Sequence, residues 1–379
     1  MTHQQDTLFD PINIEILRNP DLGNNMAKLT LMGVGGGGCN MIDNYVIKNQ
    51  YLIKIIASNT DNQVLQKSTA PVKIQLGPKT TNGLGAGMNP DVGRKAALES
   101  AEEIHNQLNG SDMVFLCAGL GGGTGSGALP VVIQIAKELG ILCVVVVTMP
   151  FSYEIGRDSI AQNALEQIKC HADAYIVIYN DNILKIVPET TGVMESFQII
   201  DNVFFDAVHG LCDIILNYHR LNINVDFADI STTLTKKGLA LIGIGQAKGD
   251  DSAKKALSQA IKSPLLGINS INNCKSIIIH FTFNPKFPIH KMNEIMHYVK
   301  NNADLGAKCI VGTVYNDQME DNEVKVTLIA TGFDIADKEN QQKQKELSLE
   351  NIEKKNLEKH QQDTPKSKSI FKRLIDNMF

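Results

Sequence analysis

The run Gly119-Leu120-Gly121-Gly122-Gly123-Thr124-Gly125-Ser126-Gly127 constrains this chain more than any other stretch. Before it, Asp112 to Cys117 is apolar and reads as a buried strand. From Ala128 onward, Leu129, Val132, Ile133, Ala136 and Leu139 recur at helical spacing. Glycine admits positive φ and lets backbone N–H groups approach an anion closely, and a helix N-terminus behind them favours negative charge. The unit therefore reads as a phosphate cradle. A plain connection from strand to helix needs only one or two glycines.

Upstream, Lys28 to Met32 is expected to form a first strand, running into Gly33-Val34-Gly35-Gly36-Gly37-Gly38-Cys39-Asn40 and a helix over Met41 to Lys48. Gly33, Gly35 and Gly38 fit G-x-G-x-x-G, a pattern that by itself specifies a nucleotide and no more. A strand over Leu52 to Ala57 ends in Ser58-Asn59-Thr60-Asp61, about where a dinucleotide fold places its ribose-binding acid. After a short strand at Val72 to Leu76 comes a third glycine-bearing loop, Gly83 to Pro90, and a helix from Asp91 to Leu108. That loop either closes over a phosphate from another side or is a mobile surface loop. Leu142 to Thr148 is a continuous apolar run, the mark of a strand covered on both faces. Such alternation of strand and helix implies a parallel sheet with helices on both sides and ligands beyond the carboxyl ends of the strands. Glu154 and Arg157 follow the apolar run, and they either open onto that rim or form a solvated pair at a helix start.

Next come a strand at Tyr175 to Tyr179 and a long helical pattern from about Ser196 to His219, with Phe197, Ile200, Phe204, Val208, Leu211 and Ile215 on one face. A loop carrying Asn224, Asp226 and Asp229 follows. From Gly238 the pattern becomes that of a smaller mixed α/β domain with no glycine-rich phosphate loop of its own. Beyond Asp334 the chain turns to Lys, Glu, Gln and Asn, the composition of a solvated tail. Apolar residues return only in Ile370 to Phe379, which reads as a docking peptide. The expected class is α/β: a parallel-sheet nucleotide domain, a long central helix, a second smaller mixed α/β domain and a flexible C-terminal tail. The boundaries fall at 1–26 for an N-terminal arm, 27–195, 196–222, 223–333, 334–368 for a charged linker and 369–379.

The 379 residues are enough for about two domains plus a tail, and 43% hydrophobic content supports sizeable cores. A net charge of −5 argues against broad electrostatic affinity for nucleic acid. Seven scattered cysteines without a CxxC look like reduced core residues, which suits a cytosolic compartment, and no ligand set for a protein-held metal stands out. No secretory signal is expected at the N-terminus, and the longest apolar run, Ile141 to Met149, falls far short of the roughly 20 residues a membrane span takes.

The two glycine runs, together with NTDNQVL, GLGAGMNPDVGR, VVTMPFSYE, NDNIL, NVDFADI, GIGQAKGDD and AIKSPLL in that order, resemble the tubulin/FtsZ family of GTPases over about Ala27 to Phe333. The resemblance implies GTP and GDP as ligands. It assigns Gly36, Gly37, Gly38, Cys39 and Asn40 to the nucleotide, and Gly123, Thr124 and Gly125 to its phosphates. Glu154 and Arg157 take the ribose side, with Asp158 the ungapped alternative to Arg157. Phe197 packs on guanine and Asp201 reads the base edge. A carboxylate suits that role, because N1–H and the 2-amino group of guanine form a donor pair that adenine lacks. Without the resemblance, Phe197 and Asp201 read as a core aromatic and an exposed acid one turn on. Cys39 stands where a glycine or another small residue is common, and Ser126 where threonine is.

The resemblance also implies hydrolysis of GTP by Asp226 and Asp229, supported by Asn224, with Mg2+ held mainly through phosphates and water because the chain has no G-x-x-x-x-G-K-[ST]. Read without it, Asp226 and Asp229 are helix-capping acids. A continuous helix from Asp201 towards Asp226, 25 residues on, would span roughly 35 Å at about 1.5 Å per residue. The acids would then serve the next subunit, giving a head-to-tail filament. The implied setting is a division ring at mid-cell on the inner face of the membrane. The implied partners are the chain itself and division proteins or membrane tethers at the C-terminal peptide. That peptide lacks the family's proline-aromatic-leucine core, so direct membrane binding stays open. Two other readings compete: a dinucleotide-dependent oxidoreductase, which leaves the second cradle unexplained, and a GTP-binding scaffold or plasmid-segregation relative with little turnover.

Overall fold

The computed structural model describes residues 26–48, 51–185, 187–216, 225–262, 271–272, 274–304 and 306–333. Asn224, part of AIKSPLL, the N-terminal arm before residue 26 and everything beyond Phe333 lie outside them. The described residues form ten strands in one sheet, in the order β3-β2-β1-β4-β5-β6-β7-β10-β8-β9.

The parallel half is built from β1 (Leu29–Val34), β2 (Lys54–Asn59), β3 (Val72–Gln75), β4 (Met113–Gly119), β5 (Leu142–Met149) and β6 (Ala174–Tyr179). All residues of β1 and β5 are buried, as expected of strands covered on both faces. Chain order reverses between β1 and β4, which pair in parallel with Leu29 opposite Met113. In open α/β sheets such a reversal leaves a crevice beyond the carboxyl ends, where ligands bind. The mixed half contains β7 (Gly238–Lys248), β8 (Ser276–Phe283), β9 (Lys308–Tyr315) and β10 (Glu323–Thr331). There β10 runs antiparallel to both β7 and β8, while β8 and β9 are parallel. Among the described residues, the two halves pair as strands at Ala174 with Gly238 and Tyr175 with Leu239.

These registers define two edges. Leu29, Met113, Leu142, Ala174, Gly238, Ser276 and Lys308 begin their strands on one edge, called here the amino edge, and antiparallel β10 ends there at Thr331. Val34, Gly119, Met149 and Tyr179 end theirs on the other, the carboxyl edge.

Eleven helices accompany the strands among the described residues. Helix α1 (Gly35–Lys48) starts six residues before the expected Met41, because the glycine run forms its first turn. After α2 (Asn62–Lys67) and the short α3 (Pro78–Thr81), the helix expected over Asp91 to Leu108 is split into α4 (Pro90–Glu99) and α5 (Ala101–Leu108). The break is tertiary in origin. At Ser100 the hydroxyl donates to the Gln75 carbonyl and accepts from Gly77 N–H, tying this point to the end of β3. Helices α6 (Gly123–Glu138) and α7 (Asp158–His171) flank β4 to β6. The long α8 (Val193–Leu216) begins three residues before Ser196 and buries Ile200, Phe204, Val208 and Leu211. Beyond it come α9 (Phe227–Leu234), α10 (Ser252–Ile261) and α11 (Ile289–Asn302). Cys39, Cys117, Cys143, Cys212 and Cys274 are core residues, whereas Cys170 and Cys309 are exposed.

Candidate nucleotide-binding site

The two glycine runs leave neighbouring strands at the chain reversal and meet backbone to backbone. Gly35 has φ of 75°, and a Cβ on it would lie 2.8 Å from the Gly125 nitrogen. On Gly37 it would lie 3.0 Å from the Gly119 Cα. By contrast, a Cβ on Gly36 or Gly122 would face open space. The first turns of α1 and α6 thus stand side by side, presenting N–H groups that have no partner within their own helices. Paired helix N-termini of this kind, rich in backbone N–H groups, suit an anion.

The third glycine loop is part of this wall and not a free surface loop. Gly123 N–H donates to the Gly87 carbonyl at 2.9 Å, and a Cβ on Gly127 would lie 1.9 Å from the Pro90 carbonyl oxygen. Three hydroxyls tie these loops together. Ser126 Oγ accepts from Gly121 N–H at 2.9 Å, while Thr124 and Thr60 share a hydrogen bond of 2.7 Å. Asp61, one residue further on, caps α2 by accepting from Gln63 and Val64 N–H, both at Oδ1.

Cys39 is fully buried and its thiol points to the Ser58 carbonyl at 3.7 Å, away from the cradle. Burial raises that thiol to about 12, keeping it protonated and unreactive. Asn40 is exposed in the same turn.

The loop after β5 supplies the second wall. Glu154 Oε1 accepts from Phe151 N–H, and its Oε2 lies 3.2 Å from Arg157 Nη1. Gly121, with φ of 97°, makes the close approach here: a Cβ on it would lie 2.8 Å from the Arg157 Cβ. Arg157 therefore packs against the cradle, while Asp158, the first residue of α7, is exposed.

Phe197 is 41% exposed, although it falls on the apolar stripe of α8. Its ring meets Phe151 edge to face at 5.7 Å, and Phe151 stacks on Tyr153. One turn on, burial lifts the Asp201 carboxyl to about 6, opposed by the charge of Lys48 at the end of α1. Lys48 itself donates to Asn202 and lies over the Phe205 ring, which ties α1 to α8.

Asp226 and Asp229 are elsewhere. Asp226 is the N-cap of α9 but makes no side-chain cap bond, so capping does not account for its carboxylate. Asp229, in the first turn, accepts from Lys308 Nζ at 3.1 Å. The helix lies on the amino edge: Lys237 and Gly238 N–H, just after it, donate to the Asp173 carbonyl before β6, and Thr331 Oγ1 donates to the Thr233 carbonyl. Spacing alone marked these acids as part of a loop, and the Lys308 contact, 79 residues away in sequence, left no local signal.

The family model described as "Tubulin/FtsZ family, GTPase domain" matches residues 28–188, and that described as "FtsZ family, C-terminal domain" matches residues 238–334. Cell division protein FtsZ of Neisseria gonorrhoeae is 42% identical over 308 residues, covering 81% of this chain and 78% of the relative. The same protein of Neisseria meningitidis gives the same figures. Among solved structures, the empty FtsZ dimer of M. jannaschii has a TM-score of 0.75 and 40% identity, over 85% of this chain and 92% of its own. CetZ2 of Haloferax volcanii, a GTPγS-bound protofilament, has a TM-score of 0.66 at 19% identity over 80% of this chain and 92% of its own, a likeness of fold.

Proposed function

The chain belongs to the tubulin/FtsZ family, as an FtsZ-type cell-division GTPase, and from that premise we propose that its hydrolytic site is completed only when one subunit meets the next. The enzyme binds guanine nucleotide and hydrolyses GTP to GDP and phosphate. In the proposed site, N–H groups of Gly36 to Asn40 and of Gly123, Thr124 and Gly125 hold the phosphates. Glu154 and Arg157 take the ribose, Phe197 packs on the base, and Asp201 accepts from N1–H and the 2-amino group of guanine.

Open space in front of Gly36 and Gly122 leaves their N–H groups reachable by phosphate oxygens, and neither glycine run contains a lysine. Among the described residues, no group of three or more His, Cys, Asp or Glu side chains is placed to hold a metal. Mg2+, which needs few protein ligands, would be held mainly by the phosphates and water, where it would offset charge on the phosphate oxygens.

The observation that carries the proposal is positional. Asp226 and Asp229 stand on the amino edge of the sheet and the glycine cradle on the carboxyl edge. Strands of six to eight residues separate the edges by about 20–25 Å. Acids this far from their own cradle can act only on the cradle of another copy. A head-to-tail contact of that kind is heterologous and does not close, so it propagates as a filament. The M. jannaschii relative described as a dimer supports self-association. At the contact, Asp226 and Asp229 position and polarise the water that attacks the γ-phosphate, with Asn224 supporting the loop.

The filament would form the division ring at mid-cell, beneath the membrane. Residues 27–195 would act as the GTP-binding domain and 223–333 as the domain that activates the neighbour, on either side of the central helix. The charged linker and the peptide at residues 369–379 would tether the filament to division proteins or the membrane. Light scattering with GTP against GDP, run alongside phosphate release, tests the whole reading. Assembly that depends on GTP, with turnover rising steeply above a critical protein concentration, is expected. Turnover proportional to protein at all concentrations would exclude a shared site, and assembly without phosphate release would mark a scaffold.

A further inference from the structure

Asp229 is not free to meet a neighbour alone. Lys308 opens β9, and the pairing of Ser276 with Lys308 brings it to the amino edge, where its ammonium reaches the first turn of α9. Both side chains are about half exposed, 47% for Asp229 and 50% for Lys308, so the pair faces outward. An ion pair this exposed adds little to the stability of a fold. Its placement poses a different question.

Under the head-to-tail reading, Asp226 and Asp229 are carried against the triphosphate of the next subunit. Two carboxylates repel a polyanion, and the repulsion grows as the contact excludes water. The cradle offers no lysine in return, and Arg157 on its rim is already paired with Glu154. Lys308 is a cation that travels with the acids.

We propose that Lys308 is a positioning residue for hydrolysis in the neighbouring subunit: held against Asp229, it fixes that carboxylate and offsets one of the two negative charges that Asp226 and Asp229 bring to the γ-phosphate. The inference rests on the shared-site reading above. It explains how two acids dock against a triphosphate whose glycine cradle carries no lysine. The attraction is electrostatic, so it weakens as salt screens exposed charges.

The test uses the full chain, comparing wild type, Lys308→Gln, Lys308→Arg and Asp229→Ala. Assembly is followed with GTP and with its β,γ-methylene analogue, and phosphate release is measured per assembled subunit. Lys308→Gln is expected to bind a fluorescent GTP analogue normally before assembly. With either nucleotide it should need a higher protein concentration to assemble, and its turnover per assembled subunit should fall about fivefold, the upper scale of an exposed ion pair. Added salt narrows the gap, and Lys308→Arg recovers both properties. A purely structural role would lower the melting temperature without changing turnover per assembled subunit. Unchanged assembly and turnover in Lys308→Gln beside an inactive Asp229→Ala would overturn the role of Lys308, as would a loss that Lys308→Arg does not recover. Normal turnover by Asp229→Ala would overturn the shared site itself.

Discussion

Thr60, which follows β2, and Thr124, in the first turn of α6, share a 2.7 Å hydrogen bond between their hydroxyls. One hydroxyl donates and the other accepts, so one proton of the pair stays available. With Thr60 buried and Thr124 only partly so, the available proton belongs on the cradle side, where a phosphate oxygen can take it. Thr124→Val should weaken GTP binding about tenfold, the loss of one good hydrogen bond. Thr60→Val should weaken it less, because it removes only the partner that orients Thr124. Isothermal titration of both variants checks the order, and an equal or larger loss at Thr60 would contradict it.

Guanine binding should depend on pH through Asp201. Burial raises this carboxyl from 3.8 to about 6, and only the ionised form accepts both donors of guanine. As pH falls through about 6 the empty protein takes up a proton there, and affinity for GDP drops. The linked effect on stability has the opposite sense. The folded value lies above the ordinary one, so the ionised group costs stability increasingly between about 4 and 6, and the cost persists above. Asp201→Asn should therefore melt higher than wild type at neutral pH, match it in acid, and bind GDP at least tenfold more weakly with no inflection near 6. An unshifted inflection in that variant would assign the titration to another group.

Asp226→Ala should leave the binding of GTP by single subunits intact and cut assembly-linked hydrolysis by about a hundredfold or more. Mixing supplies the sharper measurement. Asp226→Ala subunits retain a cradle, and subunits disabled in the cradle retain the acids, so a mixture forms some complete sites. Phosphate release from the mixture should exceed the sum of the two alone. Strict additivity would place the acids in the service of their own chain.

The parallel half of the sheet and its glycine loops were legible because their signals are local. Glycine runs, buried strands and helical spacing each lie within a dozen residues. What escaped depends on contacts between distant segments. No property of the segment from Asp91 to Leu108 announces a break, which comes from Ser100 reaching β3. Position in a βαβ unit marks Asp61 as a candidate ribose acid, but nothing local in the sequence announces that it also caps α2. Phe197 sits on the apolar stripe of α8, yet the stripe begins before the core does, leaving its ring half open beside Phe151. The pairing of Asp229 with Lys308 needs the register of β8 and β9, which is decided across the whole mixed sheet.

Gly36→Ala separates binding from folding. The added methyl meets nothing and lies in the first turn of a helix, so thermal stability should hold or rise slightly. It does fill the space in front of the cradle, and GTP affinity should fall about tenfold or more, the scale of losing a charge-assisted hydrogen bond. Gly127→Ala should do the reverse of a clean binding lesion. With its methyl 1.9 Å from the Pro90 oxygen, the loop must shift, and loss of soluble, folded protein is expected. Differential scanning fluorimetry and a nucleotide titration on both variants distinguish the two behaviours.

The backbone contact between Gly35 and Gly125 has a consequence for inhibition. A compound that grips the amides of this cradle meets atoms no side-chain replacement can remove. Most replacements able to obstruct it there also disturb the packing of the two glycine loops. Escape from such a compound would have to arise at the rim, at positions such as Arg157 or Phe197, where side chains and not main chain line the wall. Chemistry anchored on the glycine loops and sparing the rim would therefore face few viable single-residue routes to resistance.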